Sequence, residues 1–125
     1  MSLCYYCAAR YQTVKGAIMV DSGIEVENVE KARQGILSQL GVMQEGGFDE
    51  AAFLASRKGL TDSARGVSDS AVQLEGWYVH RMFDDHPDTP EDFVRRIEDM
   101  TRERVAEAAR KVGLGAVYFL QGEGE

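Results

Sequence analysis

The chain has 125 residues, 44% of them apolar and 28% charged, the size and balance of one globular domain that buries roughly two thirds of its unfolded surface without disulfides or metals. Fourteen Lys and Arg stand against 21 Asp and Glu, a net charge of −7, and the basic residues are interleaved with acids, which argues against nucleic acid as a partner. No apolar run approaches the ~20 residues of a membrane-spanning helix and no basic-then-apolar leader opens the chain, so no membrane partner and a cytoplasmic location are expected.

Leu3 to Tyr11 mixes aromatic and small residues with one charge at its end, and a second apolar run from Gly16 to Val20 stops at Asp21-Ser22-Gly23. Two short β-type runs joined by a few residues predict an antiparallel hairpin, apolar enough on both faces to be covered on more than one side. From Val26 the period changes to about 3.6: Val29, Ala32, Ile36, Leu40 and Met43 fall on one stripe, and Gly46-Gly47 ends the helix. Asp49 reads as the N-cap of a second helix with Phe53, Leu54, Leu60, Ala64 and Val67 inward.

Ser68-Asp69-Ser70 then caps a third helix carrying Leu74, Trp77, Tyr78 and Met82. After the polar loop Asp84-Asp85-His86-Pro87-Asp88, Thr89-Pro90-Glu91-Asp92 starts a fourth helix, with Thr as cap, Pro in the first turn and acids at the positive end of the dipole. Thr101 caps a last helix with Val105, Ala106, Ala109 and Val112 on one side, and Ala116–Leu120 reads as a buried strand. The expected fold class is α+β: a two-layer sandwich in which a small antiparallel sheet, two N-terminal strands and one C-terminal strand, is covered by four to five helices. Residues 1–125 read as a single domain, and three strands are few for so many helices, which points to part of a larger module.

Few residues suggest chemistry. Cys4 and Cys7 form a Cys-x-x-Cys, a redox or metal motif when it opens a helix after a strand. On a strand, positions three apart point to opposite faces and lie roughly 10 Å apart, too far for a disulfide, and zinc needs about four ligands where no second pair exists. His80 and His86, with Asp84 and Asp85 between them, have no standard ligand spacing, and neither His-Glu-x-x-His nor its inverse His-x-x-Glu-His occurs. There is no glycine-rich phosphate loop and no Gly-x-Ser-x-Gly elbow. The carboxylates sit at helix starts and solvated faces, and Trp77, Tyr78 and Phe83 share helical spacing with Leu74 and Met82, which favours core over pocket.

Ser2-Leu3-Cys4-Tyr5-Tyr6-Cys7, Lys15-Gly16, Asp21-Ser22-Gly23-Ile24-Glu25, Glu30-Lys31-Ala32, Gly47-Phe48 before an acidic cap, and Val117-Tyr118-Phe119-Leu120-x-Gly122 together resemble the C-terminal part of insulinase-like (pitrilysin-type) zinc peptidases, in their bacterial processing-peptidase-like branch. The resemblance implies α/β modules that pair around a chamber. One module carries the inverted zinc motif, and its metal-free partner closes over a peptide substrate. Leu3-Cys4-Tyr5 matches a Leu-x-Tyr that contacts the bound peptide, so Tyr5 is the implied substrate-binding residue; the Arg that accompanies it would lie before residue 1. A phenol there would donate a hydrogen bond to a peptide carbonyl or a developing oxyanion; the alternative is that Tyr5 and Tyr6 are ordinary strand aromatics.

The implied function is a non-catalytic, chamber-forming C-terminal domain of a zinc-dependent metallopeptidase. No catalytic or metal-binding residue is assigned to this chain, and zinc is expected only in a partner or upstream catalytic module. Two alternatives stay open: an interaction or scaffold module of an inactive peptidase homologue, and a small thiol-redox or metal-binding protein centred on Cys4 and Cys7. If further strands belong to the sheet, its unpaired edge predicts self-association.

Overall fold

The computed structural model describes residues 4–83 and 87–122. The α+β class holds: among the described residues a two-stranded antiparallel sheet is followed by five helices. The chain divides into two compact units, one taking in the chain up to Val42 and from Val112 onward, the other Met43–Lys111.

In the first unit, β1 (Tyr6–Gln12) pairs with β2 (Ala17–Gly23) in a continuous register from Tyr6 opposite Gly23 to Gln12 opposite Ala17. A single 3-10 turn over Thr13–Lys15 joins them and closes at Gly16, whose φ of 59° lies in the left-handed region where a Cβ is costly. The Gly16 N–H returns to the Thr13 carbonyl at 3.3 Å. Both strands are exposed along most of their length, including the apolar Tyr6, Tyr11, Ile18, Met19 and Val20, although the sequence pattern points to covered faces.

A 3-10 turn over Val26–Asn28 leads into α1 (Val29–Glu45). Its stripe is inward at Val29, Ala32, Ile36 and Leu40, while Met43 is exposed.

The third strand expected at Ala116–Leu120 does not form; these residues are irregular and exposed, so the sheet has two strands. A run of apolar and aromatic residues makes a segment fit to be a strand, but a strand exists only when a neighbour takes up its N–H and C=O groups. Among the described residues β1 and β2 pair only with each other.

In the second unit every helix start is fixed by a local cap. The Asp49 carboxylate accepts from the Ala52 N–H at 3.1 Å to start α2 (Glu50–Val67). The Ser70 hydroxyl accepts from Gln73 N–H at 3.4 Å to start α3 (Ala71–His80). Thr89 and Asp92 form a reciprocal capping box for α4 (Pro90–Glu98), with Pro90 at the first turn, where its missing N–H costs nothing. Thr101 accepts from Arg104 N–H at 3.3 Å to start α5 (Arg102–Ala109).

α2 packs on α4 and on α3. The buried residues of this unit are small: Thr61 and Ala64 of α2, Pro90 and Val94 of α4, Ala106 and Ala109 of α5. With Ala64 only 2% exposed, the helices approach through methyl-sized side chains. Thr61 satisfies its hydroxyl by donating to the Lys58 carbonyl at 2.9 Å. Larger groups work at the margin: Trp77 meets Phe93 edge-on at 5.4 Å and donates its indole N–H to the Asp88 carbonyl at 2.8 Å. The Arg81 guanidinium lies 3.5 Å over the indole.

Two arginines tie α5 to the turn between α1 and α2. Arg102 donates to the carbonyls of Gly46, at 3.0 Å, and Phe48, pairs with Glu50 at 3.0 Å and lies 5.0 Å from the Phe48 ring centroid. At the other end Arg110 Nε donates to the Gln44 carbonyl at 3.0 Å, and the Gln44 amide returns a bond to the Ala109 carbonyl at 3.2 Å. Gly46, with φ 73°, permits the turn they hold.

Candidate functional site: the open end of the hairpin

Tyr5 stands one residue before β1, and its N–H continues the ladder by donating to the Gly23 carbonyl at 2.8 Å. Beside it the Tyr6 ring lies across Gly23, so closely that a Cβ at 23 would stand 2.5 Å from Tyr6 Cε1. A glycine is needed there if the ring is to keep that place. The chain then passes through Ile24 to an extended Glu25 that opens the turn into α1. This bend brings Glu25 back to residue 5, and the Tyr5 hydroxyl donates to its carboxylate.

Tyr5 is 77% exposed. The hydrogen bond to Glu25, then that carboxylate's negative charge, and lastly a little desolvation hold its phenol above the usual tyrosine range. The group is therefore a neutral phenol at physiological pH and no base. Its one proton already lies on Glu25, so a donor role toward a carbonyl or oxyanion requires that bond to break.

The other residues singled out in the sequence are not gathered here. Leu3, the first residue of the Leu-x-Tyr, lies outside the described residues, as do Asp84, Asp85 and His86. Cys4 is half-buried and Cys7 exposed, and Cys7 faces Ser22 across the hairpin register. His80 ends α3 in solvent. Of the aromatic set, Trp77 is packed against Phe93, whereas Tyr78, Met82 and Phe83 are exposed, Phe83 to 80%. The core reading thus holds for Leu74 and Trp77 and fails at the helix end, because the helix closes at Arg81 before Met82 and Phe83 can share its inner face.

Among the described residues no group of three His, Cys, Asp or Glu side chains is placed to hold a metal ion, so these residues do not fit a zinc site. Many carboxylates serve the fold instead: Glu98 pairs with Arg65 at 2.5 Å, Asp62 with Lys58, Asp92 with Arg95, Asp88 with Arg96. Two open grooves lie in the helical unit, about 240 Å³ beside Pro90 and Val94 and about 400 Å³ beside Phe53 and Met100. Neither is lined by a Ser, Cys or His; the second includes the Thr101 hydroxyl, hydrogen-bonded to the Glu103 carboxylate.

The residue of this candidate site that the sequence does not single out is Glu25. Its place follows from the strand register, which the sequence alone does not fix: with Tyr6 opposite Gly23, residue 5 falls beside residues 24 and 25, and a carboxylate two positions past the strand end is within reach of a long phenol.

Among the described residues no helix is long and apolar enough to cross a membrane. No family model and no solved structure matches the chain. A relative does: over 121 residues, 97% of this chain, it is 34% identical to the "Probable inactive metalloprotease YmfF" of Bacillus subtilis (strain 168), of whose length it spans 28%. Nearly the whole chain is thus similar to a little over a quarter of a metalloprotease-like protein.

Proposed function

We propose that this chain is a non-catalytic module of a metallopeptidase-like protein and that it contributes one wall of a substrate chamber. On this reading it is the C-terminal module of an insulinase-like (pitrilysin-type) protein of the bacterial processing-peptidase-like branch, located in the cytoplasm. A catalytic module, in the same longer chain or in a partner, would hold the zinc, and an extended peptide is bound between the two. Tyr5 is the residue of this chain that touches the peptide. The observation that carries the reading is a solvent-facing, hydrogen-bonded Tyr5 at the open end of a hairpin, in a chain similar over 97% of its length to a metalloprotease-like relative.

The exposed strand edges support a further part of the proposal, that the isolated chain self-associates through the hairpin, since unpaired edges recruit another strand.

A fluorescein-labelled, unstructured 12-residue peptide titrated against the full chain tests the reading by anisotropy. Saturable binding that Tyr5→Phe weakens supports it. Stoichiometric zinc in the purified chain, or metal-dependent cleavage of that peptide by the chain alone, overturns it. A second reading, an interaction module of an inactive peptidase homologue, is favoured by the relative's designation as inactive. The remainder of the coding sequence separates the two: an intact His-x-x-Glu-His selects the first, its loss the second.

A further inference from the structure

The pairing of Tyr5 with Glu25 fixes which half of a peptide bond this site accepts. A phenol carries one proton and two lone pairs. With the proton donated to Glu25, the oxygen presents lone pairs to solvent, next to a carboxylate. A peptide carbonyl brought to that oxygen meets acceptor against acceptor, which no hydrogen bond relieves. A peptide N–H meets an acceptor whose basicity the neighbouring carboxylate raises, because hydrogen bonds in a chain polarise one another.

The backbone holds both partners in place. Tyr5 is fixed by its bond to the Gly23 carbonyl at 2.8 Å, and Glu25 by the turn that its own carbonyl closes with the Asn28 N–H at 2.9 Å. The exposure of Tyr5 leaves the oxygen within reach of a bound chain.

We infer that Glu25 is the positioning residue of Tyr5 and that the pair recognises a backbone N–H of an extended peptide. This rests on the proposed contact between Tyr5 and a peptide substrate and specifies its chemistry.

The test uses the full chain and the labelled 12-residue peptide, together with a series of the same peptide carrying one N-methylated residue at each position in turn. Glu25→Ala is expected to weaken binding about tenfold, the loss of one hydrogen bond's worth of ordering. Glu25→Gln keeps a carbonyl oxygen for the phenol and is expected to stay within about threefold of the parent. One N-methylated peptide should bind the parent about tenfold more weakly and lose no further affinity on Tyr5→Phe, the signature of a shared contact.

If Glu25→Gln is as weak as Glu25→Ala, or if no N-methylated position couples to Tyr5, the inference is wrong. If Tyr5→Phe weakens binding while Glu25→Ala does not, the role of Glu25 falls and the peptide contact stands. If the parent chain binds no peptide, the contact falls and the inference with it. Far-UV circular dichroism of each variant separates loss of the contact from loss of the hairpin; a Tyr5→Phe or Glu25→Ala chain that keeps its spectrum and its affinity counts against the inference.

Discussion

Arg102 offers the sharpest test of how the helical unit is held. Its guanidinium bonds two backbone carbonyls, Gly46 and Phe48, pairs with Glu50 and covers the Phe48 ring. The Glu50 pair is exposed and contributes about 0–1 kcal/mol. Each charge-assisted bond to a carbonyl is worth about 1 kcal/mol once discounted for a side chain one-third exposed, and the ring contact adds about 0.5 kcal/mol. Arg102→Ala should therefore cost about 2.5–3.5 kcal/mol. For a unit of this size that is a fall in Tm on the order of 10–20 °C.

Trp77 is the chain's single tryptophan and lies in the same unit, so urea unfolding followed by its fluorescence reads this unit alone. Arg102→Lys, a point donor without the fork, should recover about half the loss, and Glu50→Gln should stay within about 0.5 kcal/mol of the parent. An Arg102→Ala chain that unfolds within about 0.5 kcal/mol of the parent would refute the claim that this arginine ties α5 to the α1–α2 turn.

In spectrophotometric titration at 295 nm, Tyr5 should ionise above the ordinary tyrosine value near ~10, and Glu25→Ala should lower that ionisation. Because that pKa is raised in the folded state, the pair's stabilisation is fully present below the unfolded value and lost as pH rises through the folded one. Thr89→Ala should cost about 1 kcal/mol by removing one side of the α4 capping box, read from urea midpoints. Asp92 is held below its usual carboxyl range first by the Thr89 hydroxyl, then by the Thr89 N–H and Arg95. Its contribution is present above the unfolded value near ~4 and lost as pH falls through the folded one, so Asp92→Asn should flatten the acid limb of the stability profile. Ala64→Leu, at a position 2% exposed, should cost about 1–3 kcal/mol by overpacking; a chain as stable as the parent would show that α2 and α4 can separate freely.

What the sequence made legible was what short stretches encode by themselves. Asp49, Ser70, Thr89-Pro90 and Thr101 each sit immediately before an apolar period, and each is found capping the helix expected of it. The hairpin followed from two β-type runs joined by a few residues. Arg102 and Glu25 were not legible, because their partners are set by how a turn folds back rather than by spacing along one element. At Ala116–Leu120 the local preference was real but the strand needs a pairing edge, which no window of sequence contains. Met82 and Phe83 show the reverse case: apolar residues in phase with a helix that has already stopped at Arg81.

The two units therefore differ in what satisfies them. In Met43–Lys111, helix caps answer the leading N–H groups, arginines answer carbonyls at the α1–α2 turn, and small side chains fill the contact between α2 and α4. The hairpin has a good register but leaves aromatic and branched side chains of both strands in solvent, and an isolated two-stranded ribbon is marginal in water. A self-sufficient catalyst would be expected to put its reactive groups on the rigid part, where preorganisation is strongest. Here the exposed Tyr5–Glu25 pair lies on the ribbon, whose remaining polar and apolar valences call for a neighbour. The proposed chamber wall would have that distribution, since its peptide-facing surface would be completed by the module opposite and by the bound chain itself.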